Sequence, residues 1–418
     1  EPVKKKLVRI EKEVSRLQRF QNTFKDLGIC DLVLAIVGRS LDYLTIDDTF
    51  AMAFVPLALK LGVSLLASGN HSVQNTLMLS YKNDHSSGVV GSYKKHFMES
   101  VRRILRNMTL KVEIFTKKSD LQHKFPLKHF KLLIKIYDFF GSLCSGHNEA
   151  ARLFLHDQDH VGEPVDIVFD ISASVNSVLA MLVSQMRYIT FDAFYELLAP
   201  PVWHHYPDIK RRFIKWHDPR VDFDFVCQIL AVASAGFNSL TEISQGPCYK
   251  NQLSALAATP NCQQLLEYVG AMQLKAKTAE SEIKLLFDPK AVVWDGRHPL
   301  TFNKTYKRKL QEVDRFQDDP DFNLIVKQIE ALSEKGKATK QFNARHKLLT
   351  QVAQAAEKNC LRFLLALLEA TSPLVSEALP AQLNDGILLQ NMDNQYKLSF
   401  KSKGKLKVFR SEVTVSYL

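Results

Sequence analysis

Apolar residues recur along this chain at spacings of three and four rather than two, which is the signature of helices that bury one stripe. The pattern holds at Leu57, Leu59, Val63, Leu65 and Leu66, and again at Leu132, Leu133, Ile136, Phe139, Phe140 and Leu143. It returns at Val226, Ile229, Leu230 and Val232, and at Leu361, Phe363, Leu364, Leu367 and Leu368. Stripes of this kind are buried only against one another, so the fold class expected is all-α.

A faint internal echo sharpens that expectation. LALKLGVSLLASGNHSVQNTL (57–77) and LLIKIYDFFGSLCSGHNEAARLFL (132–155) each read as an apolar helix, a glycine, an asparagine and a second helix. Gly69 would stop one helix in the left-handed conformation and Asn70 would cap the next; Gly146 and Asn148 repeat the arrangement. Fainter copies run from Asp222 to Gln245, stopped by Gly246 and Pro247, and over 360–379, where Ser372-Pro373 supplies a cap and a first-turn proline. Helix pairs joined by tight turns predict an armadillo-like α-solenoid of stacked pairs.

Three stretches depart from the pattern. Tyr81 to Tyr93, rich in Ser, Gly, Asn and Lys, reads as a loop. Residues 279–345 are charge-dense, with KRK at 307–309 and DDPD at 318–321, and read as an insert or linker carrying surface helices. Tyr396 to Val408 alternates apolar and basic residues around Lys403-Gly404, which predicts a β-hairpin. The expected organisation is therefore a helical-repeat domain over 1–278, the charged insert over 279–345, and a final repeat with the hairpin over 346–418.

Composition excludes several classes. With 46% hydrophobic and 24% charged residues in 418, the chain can bury cores, against disorder or a collagen-like repeat. It opens on Glu1 with Lys4, Lys5 and Lys6 and no apolar run behind them, so no signal peptide is read and a segment of a longer chain is expected. The most apolar window, Ala51 to Ser68, contains Pro56, Lys60, Gly62 and Ser64 and reads as a buried helix; no membrane span is expected. Six scattered cysteines without a C-x-x-C pair suggest reduced thiols in the cytosol.

Motifs for catalysis do not occur. The P-loop, dinucleotide turn, zinc-protease pair and nucleophile elbow are all missing, so nothing positive argues for an enzyme. A calcium loop beginning at Asp157 fails at Val161 and Val168, where oxygen donors are required. His156 and His160 stand four apart, but Gly162-Glu163-Pro164 ends any helix there, and they read as surface histidines in a turn. The formal charge of +11 includes clusters at Lys210-Arg211-Arg212 and Lys401 to Lys407. Asp208, Asp218, Asp222 and Asp224 offset the first, so nucleic acid is an unlikely partner and solvated helix faces the better reading.

The segment NSLTEISQGPCYKNQ (238–252) is the informative one. Asn238, Glu242 and Gln245 fall on one helical face just before the Gly246-Pro247 stop, and three oxygen-bearing side chains on one stripe suit a hard cation or a solvated surface. The segment resembles the turn N-S-L-T-E-Y-x-Q-G-P-C-x-x-N-Q of inositol trisphosphate and ryanodine receptors. In family order, LGICDLVLAIV (27–37) resembles L-G-A-x-x-L-V-L-D-L, and LGVSLLASGNHSVQ (61–74) resembles L-G-I-A-L-L-x-G-G-N-x-x-V-Q. FFGSLCSGHNEAARLFL (139–155) resembles F-L-x-L-L-C-E-N-H-N-x-x-x-Q-N-F-L. The resemblance covers about residues 17–270, with a fainter continuation over 346–380.

That resemblance implies the cytosolic helical-repeat region before the pore of an intracellular calcium-release channel, homotetrameric in its parent and facing the endoplasmic reticulum membrane. It also implies an activating calcium site. Glu242 and Gln245 match its second motif and His147 the supporting histidine of the first. The first glutamate is replaced by Ser145, which removes one of two anionic ligands and makes weak or absent calcium binding the expectation. A freestanding armadillo-type scaffold for a protein partner is the alternative, because Gly69, Asn70, Gly146, Asn148, Gly246 and Pro247 would serve any helical stack.

Overall fold

A computed structural model describes residues 2–42, 49–82, 89–117, 125–156, 158, 165–188, 223–246, 248–258, 262, 265–266 and 337–369. The described part is all-α, as the periodicity dictates. Its helices are α1 (Pro2–Asp26), α2 (Ile29–Gly38), α3 (Thr49–Leu66), α4 (His71–Lys82), α5 (Val89–Lys94) and α6 (Phe97–Lys117). They continue as α7 (Leu127–Cys144), α8 (Glu149–His156), α9 (Ile167–Tyr188), α10 (Phe223–Ser244), α11 (Tyr249–Ala258) and α12 (Lys337–Leu368).

The repeating unit contains three helices. Unit one is α2, α3 and α4; unit two is α6, α7 and α8; unit three is α9, α10 and α11. Helices of equal rank pack on their counterparts: α2 on α6 on α9, α3 on α7 on α10 on α12, and α1 on α4 on α8 on α11. Of the first-rank helices, α6 and α9 are the ones that the motif comparison overlooks. Their signal is nonetheless present in α6, where Met98, Val101, Leu105, Met108 and Val112 recur at three and four and are buried. The side chain of Arg106 on α6 reaches Asp170 on α9 at 2.9 Å, fastening the first rank.

The turns form as their sequences require. Asn70 caps α4, its Oδ1 accepting from the Ser72 N–H at 3.1 Å, and Asn148 caps α8 through the Ala151 N–H at 3.1 Å. Before each cap stand two left-handed residues, Ser68 and Gly69 (φ 65° and 64°) and Gly146 and His147 (φ 77° and 60°). Glycine thus occupies the second place of one pair and the first of the other. Gly246 (φ 79°) is left-handed too, while Pro247 lies outside the described residues.

Three expectations change. Residues 81–82 end α4 and 89–93 form α5, so only the middle of the expected Tyr81–Tyr93 loop is not assigned to helix, and it lies outside the described residues. Phe225–Ser244 is, by length and composition, apolar enough to cross a membrane, contrary to the expectation that no span qualifies. Small apolar residues such as Ala231, Ala233 and Ala235 raise its hydropathy, yet 67% of the window is buried against neighbouring helices. His156 is no bare surface histidine: its Nδ1 lies 3.3 Å from Asp166 Oδ2. His160, Ser372-Pro373, both basic clusters and the hairpin at 396–408 lie outside the described residues, as does most of 279–345, whose last residues begin α12 at Lys337.

All six cysteines are buried, and none of them forms a disulfide. Burial pushes the Cys30 thiol up to about 11 and raises Cys144 well above the usual thiol range despite Arg152 beside it. Because the thiolate is the reactive form, native protein at pH 8 should give fewer than about one equivalent with a disulfide-exchange thiol reagent. Guanidinium should expose all six. A rapidly reacting native thiol would contradict the packing described.

Candidate functional site

Each third-rank helix carries one donor that reaches across to the end of the next unit's second-rank helix. Counting from the cap residue, the donor is the fourth residue: Gln74 after Asn70, Arg152 after Asn148 and Gln252 after Cys248. The final turn of a helix leaves carbonyls without intrahelical partners, so a side-chain donor placed there satisfies groups that burial would otherwise penalise.

The distances repeat the arrangement four times. Gln21 on α1 donates through Nε2 to the Ser64 and Ala67 carbonyls at 3.1 and 3.0 Å. Gln74 donates to those of Ser142 and Ser145 at 3.2 and 2.8 Å. Arg152 Nε reaches the Glu242 carbonyl at 3.0 Å, and Gln252 Nε2 reaches that of Ala366 at 3.1 Å. The cap asparagines answer in kind, Asn70 donating to Gln21 Oε1 and Asn148 to Gln74 Oε1, each at 2.9 Å. In unit three Cys248 cannot do so. There Asn251 donates to the Arg152 carbonyl at 2.9 Å and to that of Ile243 at 3.2 Å.

These joints gather the residues that the sequence marked for a metal, in a different role. Ser145 ends α7, its hydroxyl donating to the Ser142 carbonyl at 3.1 Å and its own carbonyl taken by Gln74. What Glu242 supplies to the joint is its backbone carbonyl. Gln245 follows α10, its N–H held by the Thr241 carbonyl at 2.9 Å. His147 Nδ1 lies 3.5 Å from an Arg152 Nη.

Arg152 is the residue that sequence reasoning missed. It stands where the receptor pattern has glutamine, and it is only 4% exposed. A permanent cation thus lies between His147 and the Glu242 carbonyl. Electrostatics opposes a divalent cation in the same place, and Ser145 supplies no compensating charge. Among the described residues no group of three His, Cys, Asp or Glu is placed to hold a metal. The residues present do not fit calcium. Calorimetric titration of the chain with calcium should give no saturable heat, and Glu242→Ala should be indistinguishable from the parent; heat abolished by that substitution would overturn this conclusion.

Residues 127–269 match the family model described as RyR and IP3R Homology associated. The match begins at the first residue of α7 and takes in the Arg152 joint, α10 and α11. Over residues 127–269, about a third of its length, the chain is similar to the RyR and IP3R Homology associated family.

Proposed function

We propose that this chain is the cytosolic regulatory and coupling segment of an intracellular ligand-gated calcium-release channel of the inositol trisphosphate and ryanodine receptor kind. It acts as an armadillo-like α-solenoid at the endoplasmic reticulum membrane, in a homotetrameric parent, and passes ligand-driven motion to a pore outside this chain. The observation that carries the reading is the series of side-chain-to-carbonyl joints, which recurs at each unit boundary and runs through the family-matched stretch.

A relay requires elements that move together rather than bend independently. Each joint satisfies buried backbone carbonyls and ties one unit's turn to the next, so displacement of one unit costs hydrogen bonds at its neighbour. The family's calcium site is not part of the proposal, because Arg152 fills the corresponding place. The segment transmits rather than senses.

The test is made on the full-length parent in vesicles. Gln74→Met keeps side-chain volume while removing the donor to Ser142 and Ser145. Calcium release evoked by inositol trisphosphate or ryanodine should fall about tenfold, corresponding to about 1.4 kcal/mol of lost coupling, with tetramer assembly and unitary conductance unchanged. Unaltered release, or a parent that releases no calcium to either ligand, would instead favour a freestanding scaffold.

A further inference from the structure

The helix α1 leaves an apolar row open to solvent. Leu17, Phe20 and Phe24 follow one another at three and four, and Leu27, whose N–H still bonds the Thr23 carbonyl at 3.1 Å, extends the row past the last turn. They are 37, 55, 46 and 70% exposed. The face of α1 that packs holds Gln21 instead, which is buried and bonds the Ser64 and Ala67 carbonyls. Among their described residues the other third-rank helices each expose one large apolar side chain, Leu79 on α4, Leu153 on α8 and Tyr249 on α11. Single exposed residues of that kind are ordinary, whereas a continuous row marks an interaction surface.

Charge decides the kind of partner. Lys12, Arg16 and Arg19 stand four and three apart, in a second row beside the apolar one, and all three are exposed. The Arg16 guanidinium lies 5.8 Å from the Phe20 ring centroid, so the two rows touch. Over Pro2–Asp26 eight lysines and arginines outnumber three acidic residues, and Glu13, four residues ahead of Leu17, closes the apolar row. Lys25 is engaged elsewhere, with Ser72 at 3.0 Å and Asp26 at 3.2 Å. A basic helix with exposed phenylalanine and leucine suits the headgroup layer of a bilayer, where rings enter the acyl boundary and long cationic side chains stay among the phosphates. An uncharged apolar groove on another protein would leave the three cations without partners.

We infer that the row of Leu17, Phe20, Phe24 and Leu27, with Lys12, Arg16 and Arg19 beside it, docks α1 on an anionic lipid surface. The contact is peripheral. From residue 17 to residue 27 the row runs about 15 Å, half the thickness of a bilayer core. The helix therefore lies along the membrane plane instead of crossing it, with its other face still holding the Ser64 and Ala67 carbonyls through Gln21. This contact goes beyond the channel reading and does not depend on ion conduction.

The test is flotation of the whole chain with unilamellar vesicles of phosphatidylcholine containing about 30% phosphatidylserine, against vesicles of phosphatidylcholine alone. Because the six native cysteines are buried, Leu27→Cys takes up a polarity-sensitive nitrobenzoxadiazole label selectively. The chain should float with the anionic vesicles, and the label should brighten and shift to the blue. Phe20→Gln combined with Phe24→Gln should cut the bound fraction about tenfold, as should Arg16→Gln combined with Arg19→Gln. Phe20→Leu combined with Phe24→Leu should retain binding. All four positions are exposed, so circular dichroism should match the parent in each variant. Absence of flotation, equal binding to uncharged vesicles, binding unchanged by either glutamine pair, or a silent label would each overturn the inference. So would a label shift that grows with protein concentration in the absence of lipid, which marks a second copy as the occupant. Vesicle binding is read on this chain without a pore, so its failure is separable from failure of the channel reading.

Discussion

Phe139→Ala is expected to destabilise the chain by about 3–5 kcal/mol, the range for deleting a buried aromatic side chain. Its ring fills the space left by Gly62 on the neighbouring unit and meets Phe97 and Phe140 at centroid distances of 5.6 and 5.4 Å. Removing it opens a cavity at the boundary of units one and two and loses those ring contacts. Urea unfolding should show a lower midpoint with little change in slope. Gly62→Ala tests the same contact from the other side, because its methyl group would overlap the ring. The two substitutions together should cost less than the sum of the two alone, since the alanine at 62 then occupies space the ring has left. Simple additivity would show that Phe139 does not seat on Gly62.

Arg152→Ala should cost about 2–3 kcal/mol, the scale of losing a hydrogen bond from a charged donor and leaving the Glu242 carbonyl without it. Arg152→Gln should cost less than about 1 kcal/mol, because glutamine performs this role at the equivalent positions 74 and 252. The comparison separates the donor function from the charge. If the glutamine variant unfolds as readily as the alanine variant, the guanidinium acts through packing or charge and the joint at unit three differs in kind from its neighbours. The two variants can be compared by thermal unfolding at one pH, with the Gln74→Met protein as the reference for a broken joint.

Much of this architecture was legible in the chain. The spacing of apolar residues gave the second-rank helices, and the Gly-Asn signals placed the caps at Asn70 and Asn148, because left-handed backbone and side-chain capping are local requirements. The match over 127–269 agrees with the receptor-like motifs at 139–155 and 238–252. The first-rank helices α6 and α9 were overlooked although α6 shows the same periodicity, since they belong to no motif. The candidate metal ligands stand beside the turns, but a list of donor residues omits the cation packed among them.

Local sequence determined which segments are helical, where they stop and which residues cap them, because these depend on side chains within a few positions of one another. Only the tertiary structure decided that Gln21, Gln74, Arg152 and Gln252 do equivalent work, since their acceptors lie 43 to 114 residues away and become partners only when the units stack. It likewise decided that Phe20 and Phe24 of α1 are half-exposed while Val73 and Leu77 of α4 are buried. Burial is set by what packs against a helix, and periodicity within the helix does not contain that information.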